Sequence, residues 1–446
     1  MMKNNKILLD TLNTYEAPTT TTSILEDNPI VWKEAKGAVV TDVEGGTYID
    51  LSSGSGVANI GHSHPRVVQA ITENVSKLMH TGWTYPSESR IQLLEKIKDK
   101  LPSNLQKFIF SVTGSEGVET ALKLARFHTK KSQFIAFHGA FHGKTAGSLG
   151  VTSRGSFKQD VIPSVSVVSY FHYPNCYRCP FQMSHKNCNM FCLEHMEYTL
   201  SLPSGGLENI AGIIVEPIQG AEGMVVPPKG FYKRLRELAD RLGVLLIFDE
   251  IFTGMGRTGE FFAFEHEDII PDILILGKAL GGGIPITMVA ARPEIMENFP
   301  AFKQTSTFSA SPLAASAAIA TLDVIDEEKL LSKSKHMGEY LLNKLRQLQK
   351  ETHLIGDVRG LGMMIGIELV LDKTKKPAKN EAKKFTKRAR DYGLILLSGG
   401  SLGNVLKVTP PLILTQEQAD YIIDSFRKIL TEIEEGLKTY ENNSVG

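Results

Sequence analysis

Four short segments carry residue types that can do chemistry, and they follow one another along the chain. SVTGSEGVETALKLAR (111–126) sets Thr113, Gly114 and Ser115 directly before a helix whose buried face is Val118, Ala121, Leu122 and Ala125. A Gly-Ser pair at a helix start offers free backbone N–H groups, a hydroxyl and the positive end of the dipole, which together suit a phosphate. Ser115 as a simple N-cap is the plainer reading. HGAFHGKTAG (138–147) holds Phe141 and His142 between glycines. The ring at Phe141 can lie flat on a planar cofactor, or it can be a core aromatic in a glycine-rich turn. VLLIFDEIFTGMGRTG (244–259) ends an apolar run on Asp249. A buried carboxylate is costly unless a cation pairs with it, and a protonated pyridine nitrogen is such a cation. A helix cap or a metal ligand would also explain an aspartate there. DILILGKALGGGIPI (272–286) places Lys278 between an apolar run and three glycines. A buried lysine loses its proton readily and can form a Schiff base, whereas a lone lysine at a strand end often just reaches solvent. The order in which cradle, ring, carboxylate and amine occur favours a single cofactor site.

Positioning these groups requires a sheet. FIAFHG (134–139), AGIIVEP (211–217), VLLIFDE (244–250) and DILILGK (272–278) are continuous apolar runs between helical patterns. Strands of a parallel sheet look like this because both faces are covered. Ligands of open α/β sheets bind beyond the carboxyl ends of the strands, where Glu216, Asp249 and Lys278 fall. Before this region, GAVVTDVEGGTYIDLSSG (37–54) reads as a hairpin turning at Glu44-Gly45-Gly46. After it, Met337, Leu341, Leu345 and Leu348 have helical spacing, and 371–384 is a charged loop running into a helix. The last helix starts at Thr415 with Gln418 as a capping box, and its apolar face runs from Ala419 to Ile433. The expected division is an arm over 1–36, a segment over 37–59 packing with a small domain, a large α/β domain over 60–330 and a smaller α+β domain over 331–446.

The 446 residues exceed what one core holds. Lys+Arg and Asp+Glu both number 49, so no basic surplus points to nucleic acid. No apolar run is long enough for a membrane span, and the amino terminus does not read as a secretory signal, so the default expectation is the cytoplasm. All four cysteines, Cys176, Cys179, Cys188 and Cys192, lie in one short stretch. Structural zinc, disulfides and free thiols are all open readings of that stretch, and none is catalytic. The catalytic site itself is assigned no metal.

From about residue 37 onward the chain resembles the class III aminotransferases, the family containing 4-aminobutyrate and ornithine aminotransferases. The motifs that carry the resemblance are DVEGGTYIDLSSG, NIGHSHP, TGSEGVETALKLAR, FHGKTAGSL, VEPIQG, FDEIFTGMGRTG, GKALGGGIPI, STFSASPLA and DVRGLGMMIGIEL. The resemblance implies pyridoxal 5'-phosphate and fold type I, with a mostly parallel central sheet in the large domain. It implies that Lys278 holds the cofactor as a Schiff base and moves a proton, and that Asp249 pairs with the pyridinium nitrogen. Gly114 and Ser115 would bind the phosphate. Phe141 would stack on the ring with His142 beside it, Ile251 would press the opposite face, and Glu216 would sit nearby. Thr307 would reach the phosphate held by a second subunit, which implies a homodimer with active sites at the interface. Arg359 would be structural. The implied reaction moves an amino group from a primary amine or ω-amino acid to a 2-oxo acid, 2-oxoglutarate or pyruvate, by a ping-pong mechanism.

The sequence departs from the family pattern around the substrate. Ala221 stands where members that alternate between ω-amino acids and glutamate have a glutamate, with Glu222 one place later. Lys407, in GNVLKVTPPL, stands where they have a carboxylate-gripping arginine. A shift of one residue would let Glu222 pair with Lys407. Phe252 replaces a common glutamine, and Trp83 matches an aromatic at the pocket mouth, unless it is simply packing. Trp83 and Phe252 together favour an apolar or bulky donor. The lysine in NVLK also resembles members that eliminate phosphate, so a phospho-lyase or an amino-acid epimerase on the same cofactor is the alternative. A non-catalytic binding protein is a third reading, opposed by the intact lysine, aspartate and cradle.

Overall fold

The computed structural model describes residues 5–17, 19, 29–159, 161, 167–203 and 205–444. Much of the expected N-terminal arm, 1–4, 18 and 20–28, lies outside the described residues. Fifteen strands are described, in three sheets. The central sheet contains β4 (Lys107–Ser111), β5 (Gln133–Phe137), β6 (Val168–Phe171), β7 (Ile210–Val215), β8 (Leu245–Asp249), β9 (Ile273–Leu276) and β10 (Thr287–Ala291). Their spatial order is β4-β10-β9-β8-β7-β5-β6, and only β10 runs against the rest.

The apolar runs are unbroken because each strand feeds two cores. On β5, Ile135 and Phe137 face one core while Phe134 and Ala136 face the other. On β8, Leu246 and Phe248 oppose Leu245 and Ile247, and on β9 Leu274 and Leu276 oppose Ile273 and Ile275. The helix Gly114–Thr129 closes one face with Val118, Ala121, Leu122 and Ala125. The helix Phe231–Leu242 closes the other with Phe231, Leu235 and Leu238. Burial of both faces leaves polar side chains only at the strand ends, and that is how the sheet selects the position of the site. The sequence reading did not anticipate β4, β6 and β10.

The hairpin at 37–54 forms from β2 (Val39–Asp42) and β3 (Thr47–Asp50), with Gly45 at φ 93° in the turn. It is extended by β1 (Trp32–Lys36), a strand inside what was expected to be the arm, and a helix spans Asn5–Tyr15. On its other edge β3 pairs in parallel with β13 (Leu394–Ile395). The third sheet, from β11 (Ile355–Leu361), β12 (Met364–Leu369), β14 (Leu397–Gly399) and β15 (Val405–Val408), is antiparallel in the order β11-β12-β15-β14. The final helix begins at Gln416. Gln418 N–H donates to Thr415 Oγ1 (3.2 Å) and Thr415 N–H to Gln418 Oε1 (3.1 Å), the expected capping box. Among the described residues no helix is long and apolar enough to cross a membrane.

Candidate active site

A cavity of about 530 Å³ opens where β5, β7, β8 and β9 end, and its wall includes Ser115, Phe141, His142, Glu216, Asp249 and Lys278. Asp249 is the last residue of β8 and is almost fully buried. Its Oδ1 accepts the N–H of Ile251 (3.1 Å), and its Oδ2 lies 2.7 Å from His142 Nδ1. His142 Nε2 is buried and has no hydrogen-bond partner among the described residues. Glu216 follows β7 directly and ties two loops together, accepting the N–H groups of Phe141 (2.8 Å) and Gly220 (3.1 Å). Burial pushes its carboxyl up to about 7. His142 and the two N–H groups oppose that rise, and the Asp249 charge adds to it.

Lys278 follows Gly277 at the end of β9 with φ at 30°, a strained backbone for a residue with a side chain. Its Nζ lies 4.0 Å from the centre of the Phe252 ring. Burial lowers its affinity for a proton, Asp249 and Glu216 raise it, and Arg257 lowers it further. Phe252 is fixed between two glycines: a Cβ at either Gly56 or Gly220 would collide with its ring.

The cradle differs from expectation in one detail. Thr113, not Ser115, is the N-cap, and it forms a capping box with Glu116. Two residues of the segment can cap, but only Thr113 has a glutamate three places on. Ser115 Oγ is therefore free of the helix end and accepts the N–H of Lys144 (3.3 Å). Gly143 has φ at 127°, and a Cβ there would overlap Ser115 Oγ and stand 2.6 Å from Ser148 Oγ. Gly114 borders Ile251, whose Cδ1 would stand 3.1 Å from a Cβ.

Lys407, in the middle of β15, also lines the cavity. Burial brings its ammonium down to about 8, with Arg154 and Lys278 adding repulsion. Glu222 does not pair with it; its carboxylate accepts Ser401 Oγ–H (2.5 Å) instead. Arg154 is anchored on the carbonyls of Ala221 (3.3 Å) and Gly400 (3.0 Å). Two sequence-expected residues are not brought to the cavity of this chain. Trp83 is 45% exposed and meets Phe302 edge-on at 5.9 Å, and Thr307 is exposed. Ser52, Ser55, Met224, Leu397 and Thr409 line the cavity and were not anticipated. Ser52 lies in DVEGGTYIDLSSG and Thr409 in GNVLKVTPPL, and Ser55 follows the first of these in a tight turn at φ 66°.

The four cysteines are free thiols around a small, separate cavity of about 30 Å³. Cys176 Sγ lies 3.8 Å from His185 Nδ1. Among the described residues no three His, Cys, Asp or Glu side chains are arranged to hold a metal.

A pyridoxal phosphate fits these residues. The glycine-lined cradle at a helix start suits its phosphate, the unpartnered His142 Nε2 and buried Asp249 suit a polar ring edge, and Lys278 suits its aldehyde. The fold and the site define a pyridoxal-phosphate-dependent transferase of fold type I. Residues 23–430 match the family model "Aminotransferase class-III", and the chain belongs to that family. It is 40% identical to 5-aminovalerate aminotransferase of Pseudomonas aeruginosa, covering 88% of this chain and 91% of that one. It is 38% identical to leucine/methionine racemase of Thermococcus litoralis, covering 92% of each. Among solved structures it superposes on a pyridoxal-phosphate-bound amine transaminase from an uncultivated Pseudomonas species with a TM-score of 0.87, at 28% identity over 94% of this chain and 98% of that one. The enzyme is a class III, pyridoxal-phosphate-dependent transaminase.

Proposed function

We propose that the amino donor is a primary amine or ω-amino acid carrying one carboxylate on an apolar body, and that the acceptor is a 2-oxo acid, 2-oxoglutarate or pyruvate. The observation that carries this is Lys407, a cation at the cavity wall with no acidic partner among the described residues. A buried cation without a counter-charge is costly, and a substrate carboxylate supplies one. Phe252, Ile218, Met224 and Leu397 form the apolar part of the same wall.

Pyridoxal phosphate, when bound, supplies an electron sink that acidifies the carbon bearing the amino group. Asp249 would accept a hydrogen bond from the protonated ring nitrogen, with His142 holding Asp249 in place. Gly114 and Ser115 would hold the phosphate. Phe141 and Ile251 would confine the ring, with Glu216 fixing the Phe141 loop. Lys278 Nζ would take the proton from the donor carbon in the first half-reaction and give one to the carbon of the oxo acid in the second. The amine leaves as a carbonyl compound and the oxo acid leaves as an amino acid, so no outside oxidant is consumed. We further propose a cytoplasmic homodimer in which Thr307 and Trp83 complete the partner's site, with the large domain over 60–330, the small one over 331–446 and 37–59 packing on the latter. Zero net charge gives no support to a nucleic-acid partner.

A second reading is amino-acid racemisation, favoured by the likeness to the T. litoralis racemase and by Ala221. Without a glutamate to neutralise it, Lys407 offers one fixed carboxylate site, enough for an enzyme whose substrate and product differ only in hand. Titrating the holoenzyme with a panel of amines and amino acids separates the two. Under the proposal the cofactor absorbance bleaches stoichiometrically with one donor and returns only when an oxo acid is added. Interconversion of D and L forms with the absorbance persisting and no acceptor required would replace it with the second reading.

A further inference from the structure

Lys278 Nζ makes no hydrogen bond or ion pair among the described residues, and it stands 4.0 Å over the centre of the Phe252 ring. At that distance the two are in contact. The face of an aromatic ring carries partial negative charge, so it attracts an ammonium and does little for a neutral amine.

The ring is not free to turn away. Gly56 and Gly220 bear on its two edges: a Cβ on Gly56 would overlap Cε2, and one on Gly220 would stand 2.5 Å from Cδ1. Gly220 is itself held, its N–H donating to Glu216 Oε2 (3.1 Å). The backbone of Phe252 lies in a turn tied on both sides. Ile251 N–H donates to Asp249 Oδ1 (3.1 Å), and Thr253 Oγ1–H donates to Glu250 Oε2 (3.2 Å). Asp249 and Glu216, which line the cavity with Lys278, thus also orient the ring beneath its amine.

An amine that exchanges protons with a carbon spends part of each cycle as an ammonium. Burial opposes that charged form, and a strong acceptor bonded to it would retain its proton. A ring face stabilises the charge and has no lone pair to bond the proton. Glutamine, common at this position in the family, presents an amide oxygen instead. We propose that Phe252 is a positioning residue whose ring face holds the ammonium form of Lys278 inside the cavity without accepting its proton, so that the amine can take a proton and release it again. This rests on the reading above that Lys278 is the reacting amine.

The test changes the face of the ring and little else. Position 252 is filled, by nonsense suppression, with para-fluoro-, meta-difluoro- and pentafluorophenylalanine, which withdraw charge from the face in steps. Para-methylphenylalanine adds bulk without withdrawing charge, and Phe252→Leu removes the face. The readout is the pH dependence of acylation of Lys278 by acetic anhydride in the full chain freed of cofactor, mapped by mass spectrometry. The other groups that bear on Nζ are Asp249 and Glu216, which favour its charge, and Arg257 and Lys407, which oppose it, while His142 is engaged with Asp249. All of them are kept in every variant. Weakening the face destabilises the ammonium, so the midpoint should fall, in steps along the fluorinated series and by up to roughly one pH unit for the pentafluoro ring and Phe252→Leu. The para-methyl ring should not lower it. A midpoint that stays put along the series, or that falls equally with the para-methyl ring, overturns this inference alone and leaves Phe252 as packing, provided borohydride still fixes the cofactor to Lys278 in the holoenzyme. A cofactor fixed elsewhere overturns the functional reading and this inference with it. If Phe252→Leu does not fold, the ring series decides.

Discussion

Lys278 and Lys407 are both buried amines, yet their surroundings assign them opposite tasks. Lys278 has two acids near it and a strained backbone that fixes its direction. Lys407 has only other cations acting on it. The first is suited to exchange protons, the second to hold an anion. Lys278→Ala should lower kcat/KM by a factor on the order of 10⁴, the upper range for a positioned acid–base group. Borohydride treatment, which should fix the cofactor to the wild-type chain, should fix none at position 278 of the variant; a variant retaining both would remove Lys278 from its role. For Lys407 the sign follows from its ammonium being brought down to about 8. Below that pH it carries the charge that binds a carboxylate, and above it the charge is lost. KM for a carboxylate donor should therefore rise as pH increases through about 8 while kcat changes little. Lys407→Arg should flatten that rise, since a guanidinium stays charged. A wild-type KM that does not change between pH 7 and 9.5 would rule out the carboxylate contact. Lys278, Asp249 and Glu216 were legible in the sequence for one reason: each ends an apolar run, where a charged residue has no place unless it is used. The hold on Phe252 was not, because Gly56 lies far from it in the sequence and meets its ring only in the fold.

The cradle is a property of elements, not of one side chain. The helix Gly114–Thr129 supplies N–H groups and the hydroxyl of Ser115, and the loop after β5 brings Gly143 against that hydroxyl. Gly143→Ala should fail on two grounds, a φ of 127° that disfavours a Cβ and an overlap with Ser115 Oγ. The expected result is a cofactor dissociation constant raised at least about tenfold, with the far-ultraviolet circular dichroism unchanged, because the loop distorts while the helix stays capped by Thr113. Absorbance titration with pyridoxal phosphate measures it, and wild-type affinity would show that the loop does not touch the phosphate. The same elements show what patterning can and cannot reveal. β4, β6 and β10 feed both cores just as the four strands read from the sequence do. What differs is their borders: β4 and β6 carry polar residues at or inside their ends, as in KFIFS and VSYF, and β10 merges into a glycine-rich stretch, so no contrast marks their limits. Ser115 could be read as a cap as well as a phosphate ligand because both it and Thr113 can cap, and the choice depends on where the first helical turn closes.

A single chain leaves part of its own surface unexplained. Phe302, Phe308 and Tyr85 are 79%, 64% and 70% exposed, and Trp83 beside Phe302 and His80 beside Phe308 extend the same aromatic region. Exposed aromatics grouped in this way mark a surface that another molecule covers. Thr307, next to Phe308, is exposed and does not line the cavity of its own chain, so neither it nor Trp83 could be judged from one chain, in sequence or in structure. A second copy related by a two-fold axis would cover the patch and bring Thr307 to the other cavity. Subunit mixing tests this directly. Lys278→Ala leaves Thr307 intact, and Thr307→Glu leaves Lys278 intact while setting a carboxylate against the phosphate. Each should be inactive alone. In a hybrid dimer one of the two cavities regains both wild-type residues, so equal mixing with free exchange should restore about one quarter of wild-type activity. Sedimentation velocity should show a dimer for all three proteins. A monomer, or a mixture no more active than its parts, would mean that the cavity is complete within one chain and that the aromatic surface serves something else.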